Sequence, residues 1–188
     1  MIYQEANKEK WEKEYISGKW DYLDKNPVER SRHAVIAMFC SYYFPKGRIL
    51  DVGCGVGTLV DFLNSTQRKN YLGIDISEKA IKVARIKRKA KFLAIDSKSF
   101  GSRDKYDVIV FNEMLYYVDL KNILTKYQKL LNRNGLFIIS LFSTMEHKEY
   151  RPILKTCNKL FKTLNSLDIS GEVKKRKVTW RVRVFSRH

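Results

Sequence analysis

The run Ile49–Gly57, ILDVGCGVG, places an acid and then three alternate glycines at the end of an apolar stretch. A second apolar stretch ends in Asp75, eighteen residues past the last glycine. A strand that turns sharply into a helix while its backbone approaches a ligand favours glycine, because a Cβ would block positive φ or close contact. Gly53, Gly55 and Gly57 meet that need. An acid at the tip of the following strand, here Asp75 ahead of Ile76, can accept hydrogen bonds from both ribose hydroxyls. Together the two features fit an adenosine ligand.

Spacing and charge separate the adenosine ligands. A pyrophosphate loop of the form G-x-G-x-x-G would need its third glycine at position 58, where the chain has Thr58. Asp51, just before the loop, suits an ammonium group and would repel a pyrophosphate. The expected ligand therefore carries a cation.

The order acid-x-G-x-G-x-G followed by a second-strand acid resembles motif I and its partner in the class I S-adenosylmethionine (SAM) methyltransferases, over roughly residues 40 to 185. That resemblance implies SAM as cofactor, held by Asp51, Gly53, Cys54, Gly55, Gly57, Asp75 and Ile76. Asp96 and Ser97, in KFLAIDS, stand where the family has the third-strand acid that contacts the adenine amino group. DVIVFNEMLYY, from Asp107 to Tyr117, stands in place of the fourth strand and motif IV, which puts Asn112 among the cofactor contacts. LNRNGLFIIS, from Leu131 to Ser140, is similar to the helix end, glycine turn and fifth strand that follow. The implied fold class is α/β: a doubly wound, Rossmann-like, mostly parallel seven-stranded sheet in the order 3-2-1-4-5-7-6, with an antiparallel C-terminal hairpin.

Periodicity supports alternating elements. Strands are expected near 48–52, 71–75, 92–95, 107–112 and 135–141, and helices near 57–65, 78–90, 120–132 and 147–161. Val178, Trp180, Val182 and Val184 alternate with Thr179, Arg181 and Arg183, so the segments flanking Lys174–Lys177 read as a β-hairpin. At 188 residues the chain is expected to form one domain, with residues 1–40 as a helical leader or lid and 41–188 as the SAM-binding core. Residues 3–22 hold Tyr3, Trp11, Tyr15, Trp20 and Tyr22. These aromatics either pack a helix onto the sheet or close a lid that keeps water from the sulfonium, which places Tyr15 and Trp20 among the cofactor contacts.

Methyl transfer is an in-line displacement, so catalysis is mostly positioning, with a base needed only if the acceptor loses a proton early. Candidates belong at the carboxyl edge of the sheet. They are Glu113 and Tyr117 after the fourth strand, with neighbouring Tyr116, His147 after the fifth, and His33 if the leader folds over the site. Glu113 reads equally as a base or as an acid bonding backbone amides, and the tyrosines equally as core aromatics. Arg32 stands as a partner for the SAM carboxylate. ERSRH, from Glu29 to His33, and NEMLYYV, from Asn112 to Val118, are similar to segments of the nodulation-protein-S type of methyltransferase, which N-methylates an amino sugar of a chitin oligosaccharide. That likeness implies a small, sugar-like acceptor, methylated on an amine or a hydroxyl. A non-catalytic module binding SAM or a nucleotide is a reading from another class.

Cys40, Cys54 and Cys157 are widely spaced and include no C-x-x-C, which supports neither a disulfide framework nor a metal site. No long apolar run and no secretory signal pattern are present, so the expectation is a cytoplasmic protein with no membrane partner, monomeric or a homodimer. Lys+Arg 37 against Asp+Glu 20 gives a net charge of +17, enough to attract polyanions such as RNA. The motif-IV segment NEML lacks the Asn/Asp-Pro-Pro-aromatic form that grips a base amine, and a phosphorylated or nucleotide-linked sugar would use the same field. An RNA methyltransferase is therefore the alternative enzyme. Filter binding against RNA at rising salt tests the charge: affinity is expected to vanish by ~0.15 M salt, and retention there would favour an RNA substrate.

Overall fold

The computed structural model describes residues 7–144, 148–173 and 175–188. Seven strands form one sheet in the order β3-β2-β1-β4-β5-β7-β6. They are β1 (Ile49–Val52), β2 (Tyr71–Asp75), β3 (Lys91–Ala94), β4 (Tyr106–Asn112), β5 (Leu131–Ser143), β6 (Lys162–Val173) and β7 (Arg176–Ser186). The first five pair in parallel, and β7 inserts antiparallel between β5 and β6. This is the topology expected from the motif order.

Alternation along the central strands divides the core into two layers. On β4, Ile109 and Phe111 face one cluster with Tyr127 of α6 (Leu120–Gln128) and Ile153 of α7 (Tyr150–Leu160). Val108 and Val110 face the other, with Ile36 of α3 (Pro27–Tyr43) and Ile81 of α5 (Glu78–Lys87). Side chains buried on both sheet faces explain why β1 and β4 are continuous apolar runs. Each fully buried aliphatic or aromatic side chain contributes ~1.5–3 kcal/mol.

Three expected boundaries are corrected. The helix expected over 57–65 is a 3-10 turn, Thr58–Phe62, followed by the short α4 (Ser65–Lys69). The break occurs because Leu63 is extended and Asn64 caps a new helix, its side chain accepting from Gln67 N while Gln67 bonds back to Asn64 N. The helix expected to run to 132 ends at Gln128, because pairing of Leu131 with Tyr106 already starts the strand and a register shift absorbs the residues before Leu136. α5 stops at Lys87, where Arg88 turns extended.

Arg88 explains that stop. Its guanidinium is buried between Asp24 and Asp61 and also donates to Val56 O at 2.7 Å. Asp24 belongs to α2 (Asp21–Lys25) in the leader and accepts in addition from Lys87 Nζ and Thr58 Oγ1. One ionic cluster thus joins the leader, the segment after the glycine loop and the end of α5. α1 (Lys8–Ile16) docks at the other end of that helix, Glu12 accepting from Ser77 Oγ at 2.7 Å and Lys79 N at 3.0 Å. α3 crosses residue 40 without a break.

Burial alone would raise the Asp24 pKa, but hydrogen bonds from Lys87 and Thr58 and the Arg88 charge outweigh it and hold the carboxyl at about 2. A folded pKa below the unfolded one gives stability that is complete above the ordinary carboxylate range and is lost as pH falls toward 2. Arg88→Met should cost about 1.5–3 kcal/mol at pH 7 by removing the buried guanidinium that links Asp24, Asp61 and Val56, with Lys87 and Arg30 still beside the carboxylates, and should flatten the acid limb below pH 4. Thermal melts across pH check both, and an unchanged acid limb would remove the cluster from this role.

Candidate active site

The site is built where β1, β2 and β4 end. Gly53 and Cys54 donate their backbone N–H groups to Ile74 O at 2.8 and 3.0 Å, folding the loop back over the tip of β2. Asp75 then closes the turn, accepting from Gly55 N and from Ser77 N, each at 2.9 Å. Gly55 has φ +53°, and a Cβ there would lie 2.7 Å from the Tyr15 hydroxyl. Gly57 has φ +79°, and its Cβ would lie 2.6 Å from Phe92. Neither position can take another residue without displacing a ring.

A cavity of about 200 Å³ opens beside this loop. Gly53, Cys54 and Gly55 form one wall. Asp75 and Ile76 after β2, and Asp96 and Ser97 after β3, form the next. Asn112, Glu113 and Tyr117 stand opposite after β4, and Tyr15, Trp20, Arg32 and His33 reach in from the leader. Fourteen of the expected site residues therefore meet in one place. Asp51 and Gly57 do not line it: Asp51 lies behind the loop, and Gly57 packs against Phe92. His147 falls outside the described residues.

Asp51 is buried, with Oδ2 accepting from the Tyr71 hydroxyl at 2.7 Å and Oδ1 without a partner among the described residues. Burial, with the nearby Asp75 charge, pushes its pKa up to about 7 against the Tyr71 hydrogen bond. Burial also raises the Asp75 pKa, opposed by the amides it accepts from. Both carboxyls are poised to respond to a cation.

Opposite them lies a polar chain. Arg32 Nη1 donates to Glu29 Oε2 at 2.6 Å and Glu29 O at 2.7 Å, while its guanidinium stacks 5.5 Å from the Trp180 ring. Arg32 Nε donates to Asn112 Oδ1 at 3.2 Å, and Asn112 Nδ2 lies 2.9 Å from His33 Nε2. Glu113 sits at φ +61°, a strained backbone for this residue type. Its carboxylate secures that conformation, Oε1 accepting from Ser140 Oγ and Oε2 from Phe142 N, both at 2.7 Å. Burial raises its pKa, with Arg32 and these bonds acting the other way. Tyr116 donates to Phe142 O at 3.1 Å and packs in the core margin.

Several site residues escaped the sequence reading. Trp11, read in the sequence as a packing or lid aromatic but not as a site residue, lines the cavity with its ring edge-on to Tyr117 at 5.0 Å and tilted against Trp20 at 5.6 Å. Glu12, which fastens α1, looked like one charge among many in a lysine-rich and glutamate-rich helix. Its signal was the capping serine, Ser77, followed by the first turn of α5, a natural seat for a carboxylate. Met114 touches the Gly53 turn and had no signal.

Among the described residues, no helix is long and apolar enough to cross a membrane. Residues 44–182 match a methyltransferase domain family. Nodulation protein S of Rhizobium tropici is 31% identical over 100 residues, covering 51% of this chain and 42% of that protein. A ubiquinone biosynthesis O-methyltransferase of Pelagibacter ubique is 34% identical over 106 residues, covering 53% and 44%. The chain thus spans less than half the length of these two relatives. Among solved structures, the N-methyltransferase NodS of Bradyrhizobium japonicum with S-adenosylhomocysteine (SAH) superposes at TM-score 0.71 and 19% identity, covering 88% of this chain and 90% of that one. The magnesium protoporphyrin IX methyltransferase of Synechocystis with SAM gives 0.68 at 19% identity, covering 96% and 97%. The family match, the strand order and the loop agree, and the chain belongs to the methyltransferase domain family of class I, SAM-dependent enzymes.

Proposed function

We propose that the protein transfers the methyl group of SAM to an amine or hydroxyl of a small, sugar-like acceptor. The observation that carries this reading is the single cavity that joins the Gly55–Asp75 turn to the Asn112–Tyr117 edge beneath Trp11 and Tyr15. In that arrangement Asp75 holds the ribose, Asp96 and Ser97 meet the adenine amine, and Asp51 supplies negative charge behind the methionyl ammonium. The leader aromatics exclude water from the sulfonium. Tyr117 stands beside the methyl group, and the acceptor enters from that side.

The enzyme does little covalent work, so orientation of acceptor and sulfonium carries the rate. Glu113 acts as a brace: with both oxygens bonded to Ser140 and Phe142, it holds the turn that carries Tyr117. Similarity to nodulation protein S supports the sugar-like acceptor, and similarity to O-methyltransferases supports leaving amine and hydroxyl open.

Calorimetry with SAM, SAH and NAD tests the cofactor: heats are expected for the first two alone, and tight NAD binding without SAM heat would overturn the proposal. Asp75→Ala should weaken SAM binding by about 1.5–3 kcal/mol, the range for a hydrogen bond to a charged group. Unchanged affinity would place the ribose elsewhere. Glu113→Gln should lower Tm and SAM affinity together, at about 2–4 °C per kcal/mol lost; a base with no bracing role would leave both where they are.

A further inference from the structure

Arg32 fixes more than its own ion pair. A guanidinium only donates, so its Nε–H defines the Asn112 atom it meets as the carbonyl oxygen, and the other arm of that amide is the NH2 group. That NH2 points at His33 Nε2 at 2.9 Å and can only donate to it. Nε2 is therefore the lone-pair nitrogen, and the ring proton resides on Nδ1. His33 is 6% exposed, lines the cavity, and its Nδ1 has no partner among the described residues. A buried N–H donor without an acceptor is costly, so the geometry calls for one from a ligand.

We propose that His33 is a neutral hydrogen-bond donor through Nδ1, not a base, and that Arg32 and Asn112 are positioning residues that set its tautomer. The group it recognises is a ligand oxygen with a free lone pair, either the cofactor carboxylate or an oxygen of the methyl acceptor. Only the identity of that oxygen rests on the function proposed above. A protonated ring would lose the Asn112 bond, since Nε2–H and the amide NH2 would then face each other as two donors. Burial first, then the positive charges of Arg32, Arg30 and Arg88, oppose protonation, against the favourable charge of Asp24.

The chain has three histidines, so long-range 1H–15N correlation of the full-length protein can resolve the His33 ring directly. The expected spectrum shows the Nδ1–H tautomer, neutral from pH 8 down to pH 5. Asn112→Asp replaces the NH2 donor with an acceptor and should move the proton to Nε2 or charge the ring, a response that a merely structural histidine would not give. Addition of SAH and, separately, of methylthioadenosine, which lacks the carboxylate, separates the sources. A shift of the Nδ1–H signal with SAH alone assigns the oxygen to the cofactor carboxylate, a shift on adding glucosamine to the SAH complex assigns it to the methyl acceptor, and a signal unmoved by all three would overturn the donor role. An Nε2–H tautomer in the unmodified protein, a ring that titrates near the ordinary histidine value, or an Asn112→Asp ring identical to the original would each overturn the proposal. SAH heat without this tautomer would sink the histidine role and leave the methyltransferase reading standing; this tautomer without SAH heat would do the reverse.

Discussion

One carboxylate holds the site together. Asp75 accepts from Gly55 N on the first loop and from Ser77 N at the start of α5, so it ties two strand tips and a helix start to a single point. Without that tie the loop after β1 would have only the Ile74 carbonyl to bind it to β2. Left-handed backbone at Gly53, Gly55 and Gly57 is affordable only because these amides find partners and the missing Cβ atoms leave room for Met114, Tyr15 and Phe92. The buried carboxyls of Asp51 and Asp75 lie near enough for the Asp75 charge to raise the Asp51 pKa, a concentration of latent negative charge. Such a place favours a cation over a phosphate.

The leader completes the site by two fastenings on opposite ends of α5. Glu12 bonds Ser77 and Lys79 at the beginning of the helix, where the backbone amides and the dipole favour an acid. Asp24 bonds Lys87 and Arg88 at the other end, inside a cluster shared with Asp61. Between them the aromatic rings of Trp11, Tyr15 and Trp20 span the opening. The two fastenings differ in strength, since Glu12 binds through neutral donors at a half-buried margin and Asp24 through buried charges.

The strands were legible in the chain because their apolar runs are buried on both faces. Ile49–Val52 and Tyr106–Asn112 lie within a residue of where composition placed them. The boundaries that failed depend on contacts invisible to periodicity. Gly57 and Asn64 split one expected helix into a turn and a short helix, and Leu131 joined a strand through its partner Tyr106 before the glycine turn was reached. In the site, the loop and its acids were legible because glycine and carboxylate have few other reasons to alternate there. The Asn112–His33 contact was not, since it links residues 79 positions apart whose pairing depends on how α3 packs on the sheet. Similarly, the bonds that Glu113 accepts from Ser140 and Phe142 join residues 27 and 29 positions apart and left no pattern in the chain.

The unequal fastenings of the leader imply an order of events. Glu12 is held by a serine hydroxyl and one backbone amide, whereas Asp24 is held by a buried guanidinium, so local opening of α1 costs less than release of α2. Were a nucleoside bound under α1 to leave past that helix, its departure would wait on a carboxylate releasing a serine hydroxyl and one backbone amide, a latch remote from the glycine loop.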